Sequence, residues 1–151
     1  MKKLLIISVC FLLIATPVFL YFFYQEQSIS CTNSITLVKE GGKLSLTTGQ
    51  KMSKGKGMVT LVGTLYRKDG SRAHISRKVL FDYHYRYDFM IAKSMSVNVL
   101  SQNNVSNEET KQWISEFFIK PGAEISLVFN RVGLNTWLIF TTPVPLSLCE
   151  K

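Results

Sequence analysis

Histidine is almost missing from this sequence: 151 residues contain only His74 and His84. Both are expected on one strand, where ten residues at about 3.4 Å each hold them more than about 30 Å apart. They cannot share one metal ion, and His84 with Asp82 or Asp88 offers at most a weak, non-specific surface site. There is no nucleophile elbow, no phosphate-binding glycine loop and no paired-cysteine zinc spacing. Internal repeats and low-complexity tracts are absent too. These absences leave no catalytic residue, metal or cofactor to assign, and a non-enzymatic role is expected. Acidic residues are also scarce, ten against eighteen Lys and Arg, for a net charge of +8.

What the chain does have is a long apolar run. Residues Leu4 to Tyr24 carry no charge, and 21 residues at 1.5 Å rise span roughly 30 Å, the thickness of a bilayer's hydrocarbon core. Lys2 and Lys3 precede the run, and Tyr21 and Tyr24 stand at its far end, where interfacial aromatics belong. The basic end should stay in the cytoplasm. The expected layout is therefore a cytoplasmic start (1–3), a transmembrane helix (4–24), a linker (25–34) and a periplasmic β-rich domain (35–151), in a bacterial inner membrane. Ser28 and Ser30 before Cys31 resemble a cleavage site, but the apolar run is longer than the ~7–15 residues of a signal-peptide core.

Cys10 lies in the run and reads as a small hydrophobe. Cys31 and Cys149 bracket nearly the whole outer domain and are expected to pair in an oxidising compartment. Charge is uneven: ten Lys and Arg lie between Lys39 and Lys78 against two acids, whereas six basic residues face seven acids from Val79 onward. The topology excludes direct contact with nucleic acid, so the basic half points to anionic lipid, an acidic partner, an anionic ligand or a solvated face.

Period-2 alternation dominates the outer domain. Ile35 to Val38 and Leu44 to Thr48 read as a hairpin around Gly41-Gly42. Residues 49–57, with Lys51, Lys54 and Lys56 among Gly and Ser, read as a flexible basic loop that could meet a membrane or an acidic partner. Met58 to Tyr66 follows as a strand, and Asp69-Gly70 turns into the next. From Val79 to Phe89 the odd positions are all apolar or aromatic, the pattern of a strand with one buried face. Phe81, Tyr83, Tyr85 and Tyr87 are the candidate ligand or partner face, ordinary core packing being the alternative. Met90 to Leu100 reads as another strand. Ser106 and Glu109 form a capping box ahead of an amphipathic helix through Phe118, stopped by Pro121-Gly122. Ala123 to Arg131 and Asn135 to Thr142 close a β pair, and Pro143 and Pro145 are expected to end the sheet. The fold class is mainly β (α+β): a small antiparallel, barrel-like, lipocalin-like domain with one helix.

The basic start, the apolar run, Cys31 just after it, the Pro145-to-Cys149 ending and the strand Arg77-Lys78-Val79-Leu80-Phe81-Asp82-Tyr83-His84-Tyr85 together resemble the FidL-like inner-membrane proteins, which are organised like ToxS. That resemblance implies a non-catalytic partner of a membrane-bound winged-helix regulator of the ToxR type. The partner would bind the regulator's periplasmic domain and sometimes help form a barrel for a bile-salt or lipid-like ligand. Two alternatives stand beside it: an anchored binding module for an amphipathic or anionic small molecule, and a structural subunit of an envelope assembly.

Overall fold

The structure is a computed structural model that describes residues 12–19, 28–133, 136–141 and 144–150. Eight antiparallel strands close into a barrel in sequence order: β1 (Ile29–Lys39), β2 (Gly42–Ser53), β3 (Lys56–Arg67), β4 (Arg72–Arg86), β5 (Phe89–Val99), β6 (Glu124–Arg131), β7 (Thr136–Thr141) and β8 (Val144–Glu150). Alternation dictates this arrangement. Leu44, Leu46 and Met52 of β2, Val59, Leu61 and Leu65 of β3, and Ala73, Ile75, Val79 and Phe81 of β4 are all buried and share the inward parity. Closure removes the exposed edges that an open sheet of this composition would present.

The barrel has two distinct ends. Strands β1 and β8 begin and finish at one of them, the terminal end, which also carries the β2–β3, β4–β5 and β6–β7 turns. The opposite end is covered by the long β5–β6 connection and is called here the lid end. The core divides accordingly. Ile29, Met52, Val79, Phe81, Met90 and Trp137 pack toward the terminal end. Leu44, Leu65, Ile75, Val105 and Trp113 pack beneath the lid. Phe118 touches both groups.

Several expectations need correcting. The linker assigned to 25–34 overlaps β1, which starts at Ile29. Residues 49–57 are no loop: β2 runs to Ser53 and β3 starts at Lys56. Only Lys54 and Gly55 turn, both at positive φ (52° and 73°), the geometry of the tight hairpins that match strand twist. Glycine at 57 is required here, because a Cβ would lie 2.2 Å from the Phe81 ring that covers it. The expected helix through Phe118 is split into a five-residue helix α1 (Asn107–Lys111) and a 3-10 turn (Glu116–Phe118). Ser115 breaks it by accepting a hydrogen bond from the Phe117 amide and capping a new start. Ser106 caps α1 as expected, accepting from the Glu109 amide at 3.2 Å, but the Glu109 carboxylate turns to Arg67 instead of closing the box. Finally, Pro145 does not end the sheet, and Pro143 lies outside the described residues. Pro145 sits within β8, next to a register irregularity in its pairing with β7, where a missing amide is tolerated.

The β4–β5 turn holds an aromatic where none is favoured. Tyr87 has φ 56° and is 89% exposed. A Cβ in the left-handed region costs about 1–2 kcal/mol. Glycine also gives the unfolded chain about 0.4–1 kcal/mol of extra freedom, so we expect Tyr87→Gly to stabilise the fold by at most about 1 kcal/mol in urea unfolding; a clear loss of stability would show that the ring contributes packing.

Of the expected membrane span 4–24, only 12–19 falls among the described residues. It is helical, and Leu12, Leu13 and Ile14 are exposed. No helix among the described residues is long and apolar enough to cross a membrane, and the rest of the span, Cys10 included, lies outside them.

Candidate functional site

An eight-stranded barrel has an interior that side chains can just fill or that can hold one small ligand. This one keeps a cavity of about 340 Å³. Its walls are apolar: Ile35 and Leu37 from β1, Leu46 from β2, Val59 and Leu61 from β3, with Ile125, Leu127 and Ile139 across the lumen. Trp113, Ile114 and Phe118 of the lid roof it. Pairing between β5 and β6 extends only from Met90 to Lys93, which leaves room for the lid segment to reach the lumen.

Few polar groups reach the cavity, and they stand at separate places. Asn33, Thr48 and Gln50 lie on the inward faces of β1 and β2. Asn33 is 93% buried; its Nδ2 donates to Ser147 Oγ, and its Oδ1 has no partner among the described residues. Turning the amide over would only exchange which end is unpartnered. Gln50 Nε2 donates to the sulfur of Cys149 at 3.0 Å. At the mouth, Lys39 Nζ lies 5.5 Å from the centre of the Trp113 ring and donates to the Gln112 carbonyl oxygen. Among the described residues, Lys39 is the one cation lining the cavity, and no carboxylate lines it.

The lid is fastened by charge-assisted hydrogen bonds. Arg67 at the end of β3 grips Glu109 in a bidentate pair, at 2.5 Å and 2.8 Å. From inside, Arg77 donates to Asn107 Oδ1 at 2.8 Å and to Thr110 Oγ1 at 3.3 Å. Glu116 accepts from Lys111 and Lys120 at 2.5 Å and 2.6 Å. Those two hydrogen bonds, Lys111 first, lower the Glu116 carboxyl from 4.5 to about 2. The Arg67 hydrogen bond likewise lowers Glu109. Both carboxyls therefore stabilise the folded lid above their ordinary range, Glu109 by tying it to β3 and Glu116 by bracing it internally, and lose that contribution as pH falls. We expect amide exchange in 107–118, corrected for its intrinsic pH dependence, to quicken between about pH 4.5 and about pH 2. Glu109→Gln should remove part of that dependence, and a flat profile would sink the idea.

Cys31 and Cys149 are disulfide-bonded, with Cα atoms 5.4 Å apart, and Gln50 links this bridge to the cavity. The aromatic series does not enter the cavity. Phe81 is core, 5.6 Å from Phe117 in an edge-on contact. Tyr83 is half-buried, with Tyr85 edge-on at 5.9 Å, and Tyr85 and Tyr87 are exposed at the terminal end. Partial desolvation of its hydroxyl, reinforced by Tyr83, raises the Tyr85 pKa. Lys51, Lys54 and Lys56 stand on the β2–β3 hairpin at the same end, away from the cavity, and Lys56 meets Asp82 at 3.7 Å. No group of three or more His, Cys, Asp or Glu among the described residues could hold a metal. Sequence reasoning missed the polar cavity residues. Their signal was an interruption of inward parity: Thr48 and Gln50 continue the face begun by Leu44 and Leu46.

None of the curated proteins compared matches this chain. The FidL- and ToxS-like resemblance rests on the residues quoted for it and has no counterpart among these comparisons. The family model of the YqeJ C-terminal domain matches residues 28–149, the whole barrel, and the chain belongs to that family.

Proposed function

We propose that the domain is a non-catalytic binding barrel that takes one amphipathic small molecule into its lumen, held on the periplasmic side of the inner membrane by residues 4–24. The cavity carries this reading. Among the described residues it has about 340 Å³ of space under a fastened lid, with an apolar wall, one buried amide oxygen lacking a partner and a single cation at the mouth. Pockets with apolar walls and a few placed polar groups are the usual form of small-molecule sites. The apolar body of the ligand would lie against Ile35, Leu46 and Ile125. Its anionic group would sit beside Lys39, which keeps donors to spare after serving Gln112.

Laurate and deoxycholate are suitable probes. A ligand at a hundred times its Kd stabilises the folded state by about 2.7 kcal/mol, so a rise of several degrees in Tm is expected for at least one of them. Ile35→Trp should fill the cavity and weaken binding at least about tenfold, the effect of some 1.4 kcal/mol. Unchanged affinity in a folded Ile35→Trp protein would place binding elsewhere.

A second reading is pairing with the periplasmic domain of a membrane-bound winged-helix regulator. It is favoured by apolar side chains on the outer wall. Met58 and Leu80 are register partners there, Leu80 is 42% exposed, and Met95 bulges out beside them at 56%. Co-purification of the two periplasmic domains tests it, and independent monomers would rule it out.

A further inference from the structure

The terminal end of the barrel combines three features that no strand pairing explains. The first is a run of exposed residues, His84 to Phe89, that ends β4 and starts β5. Tyr85 and Tyr87 stand out from it, and Tyr87 holds its ring in solvent from a backbone conformation that disfavours side chains. Fold stability would choose glycine or asparagine there. The second is positive charge: Lys51, Lys54, Lys56, Arg86 and Arg131 all reach this end exposed. They outnumber Asp82, Asp88 and Glu150, and Asp82 is engaged by Lys56. The third is tether length. Five peptide steps separate Tyr24, the end of the uncharged run, from Ile29, the start of β1. At no more than about 3.6 Å per residue, they reach at most about 18 Å.

We infer that the terminal end of the barrel is a lipid-contacting face, seated on an anionic bilayer surface with Tyr85 and Tyr87 in the headgroup layer and the lysine hairpin above the phosphates. The inference rests on residues 4–24 spanning the bilayer. The short tether then holds this end near the headgroups, where tyrosine rings are favoured and each nearby lysine gains about a kilocalorie of attraction. The cavity mouth at the lid end faces away from the surface, open to the aqueous compartment. An acidic protein could satisfy the lysines, but the exposed tyrosines and the tether favour lipid.

The test uses the full chain reconstituted in phosphatidylcholine vesicles with and without phosphatidylglycerol. A water-soluble amine-acylating reagent and mass spectrometry give the labelling rate of each lysine. Lys51, Lys54 and Lys56 should label about fivefold more slowly on the anionic vesicles, while Lys43 and Lys68 at the lid end keep their rates. Lys54→Asn with Tyr87→Gly, two changes that suit their turns, should restore fast labelling of Lys51 and Lys56 without loss of fold. Equal labelling at both ends, in protein that resists carbonate extraction, would overturn the lipid face while leaving the anchor intact. Extraction by carbonate would overturn the anchor reading and this inference together. Protection seen in spheroplasts but on neither vesicle would assign the face to an acidic protein and overturn the lipid contact.

Discussion

Removing the Cys31–Cys149 disulfide, by reduction or by Cys31→Ser with Cys149→Ser, is expected to destabilise the barrel by about 5 kcal/mol. The bond joins residues 118 apart, and closing so long a loop removes much of the unfolded chain's freedom. Its place in the fold adds to the effect. Among the described residues, strands β1 and β8 share one register pair, Thr32 with Glu150, against eleven between β1 and β2. The disulfide lies beside that single pair and closes the barrel where the backbone does so least. For a domain of this size the loss corresponds to a Tm lower by on the order of 15 °C. Trp137 is the register partner of Cys149 and is buried, so its emission should shift to the red as the seam opens. Amide exchange should quicken first in β1 and β8. A Tm within a few degrees of the oxidised protein would mean that the eight-strand closure holds without its staple.

Much of this architecture can be read from the chain. The barrel-like class and the strands β3 to β7 follow from period-2 alternation, and the pairing of Cys31 with Cys149 is expected from an oxidising compartment. The errors cluster where one local rule met a competing one. Lys51, Lys54 and Lys56 read as a loop because lysine and glycine are poor strand formers, yet the lysines point outward while Gln50 and Met52 hold the inward parity. Pro145 read as a stop because proline lacks an amide, but an irregular register next to it accommodates that lack. The helix was expected to be continuous because its apolar spacing is regular, and Ser115 restarts it through a side-chain cap. The cavity was less legible. Its volume arises from how the lid crosses the lumen, and that depends on contacts between residues far apart in sequence, such as Arg67 with Glu109. Only the polar interruptions of inward faces, Asn33 and Gln50, announced it.

Arg77 interrupts an inward face as well, but beneath the lid and outside the cavity lining. It sits between Ile75 and Val79 on the inward face of β4 with no exposed surface, the only buried charged side chain among the described residues. Among the described residues no carboxylate hydrogen-bonds to it; it donates to Asn107, Thr110 and the Phe118 carbonyl, all on the lid. Burial lowers its pKa, but a guanidinium stays protonated throughout the accessible range. The side chain therefore pins the lid from below at the cost of a buried charge. Arg77→Ala should cost about 3–5 kcal/mol in urea unfolding, combining a large cavity with the loss of hydrogen bonds to a charged donor. Arg77→Met fills most of the space and removes the buried charge, so about 1–2 kcal/mol is expected. Both should raise amide exchange in 107–118, because neither can hold Asn107 or the Phe118 carbonyl. If Arg77→Met leaves lid exchange unchanged, Arg77 serves the core by volume alone and the lid is held from outside by Arg67.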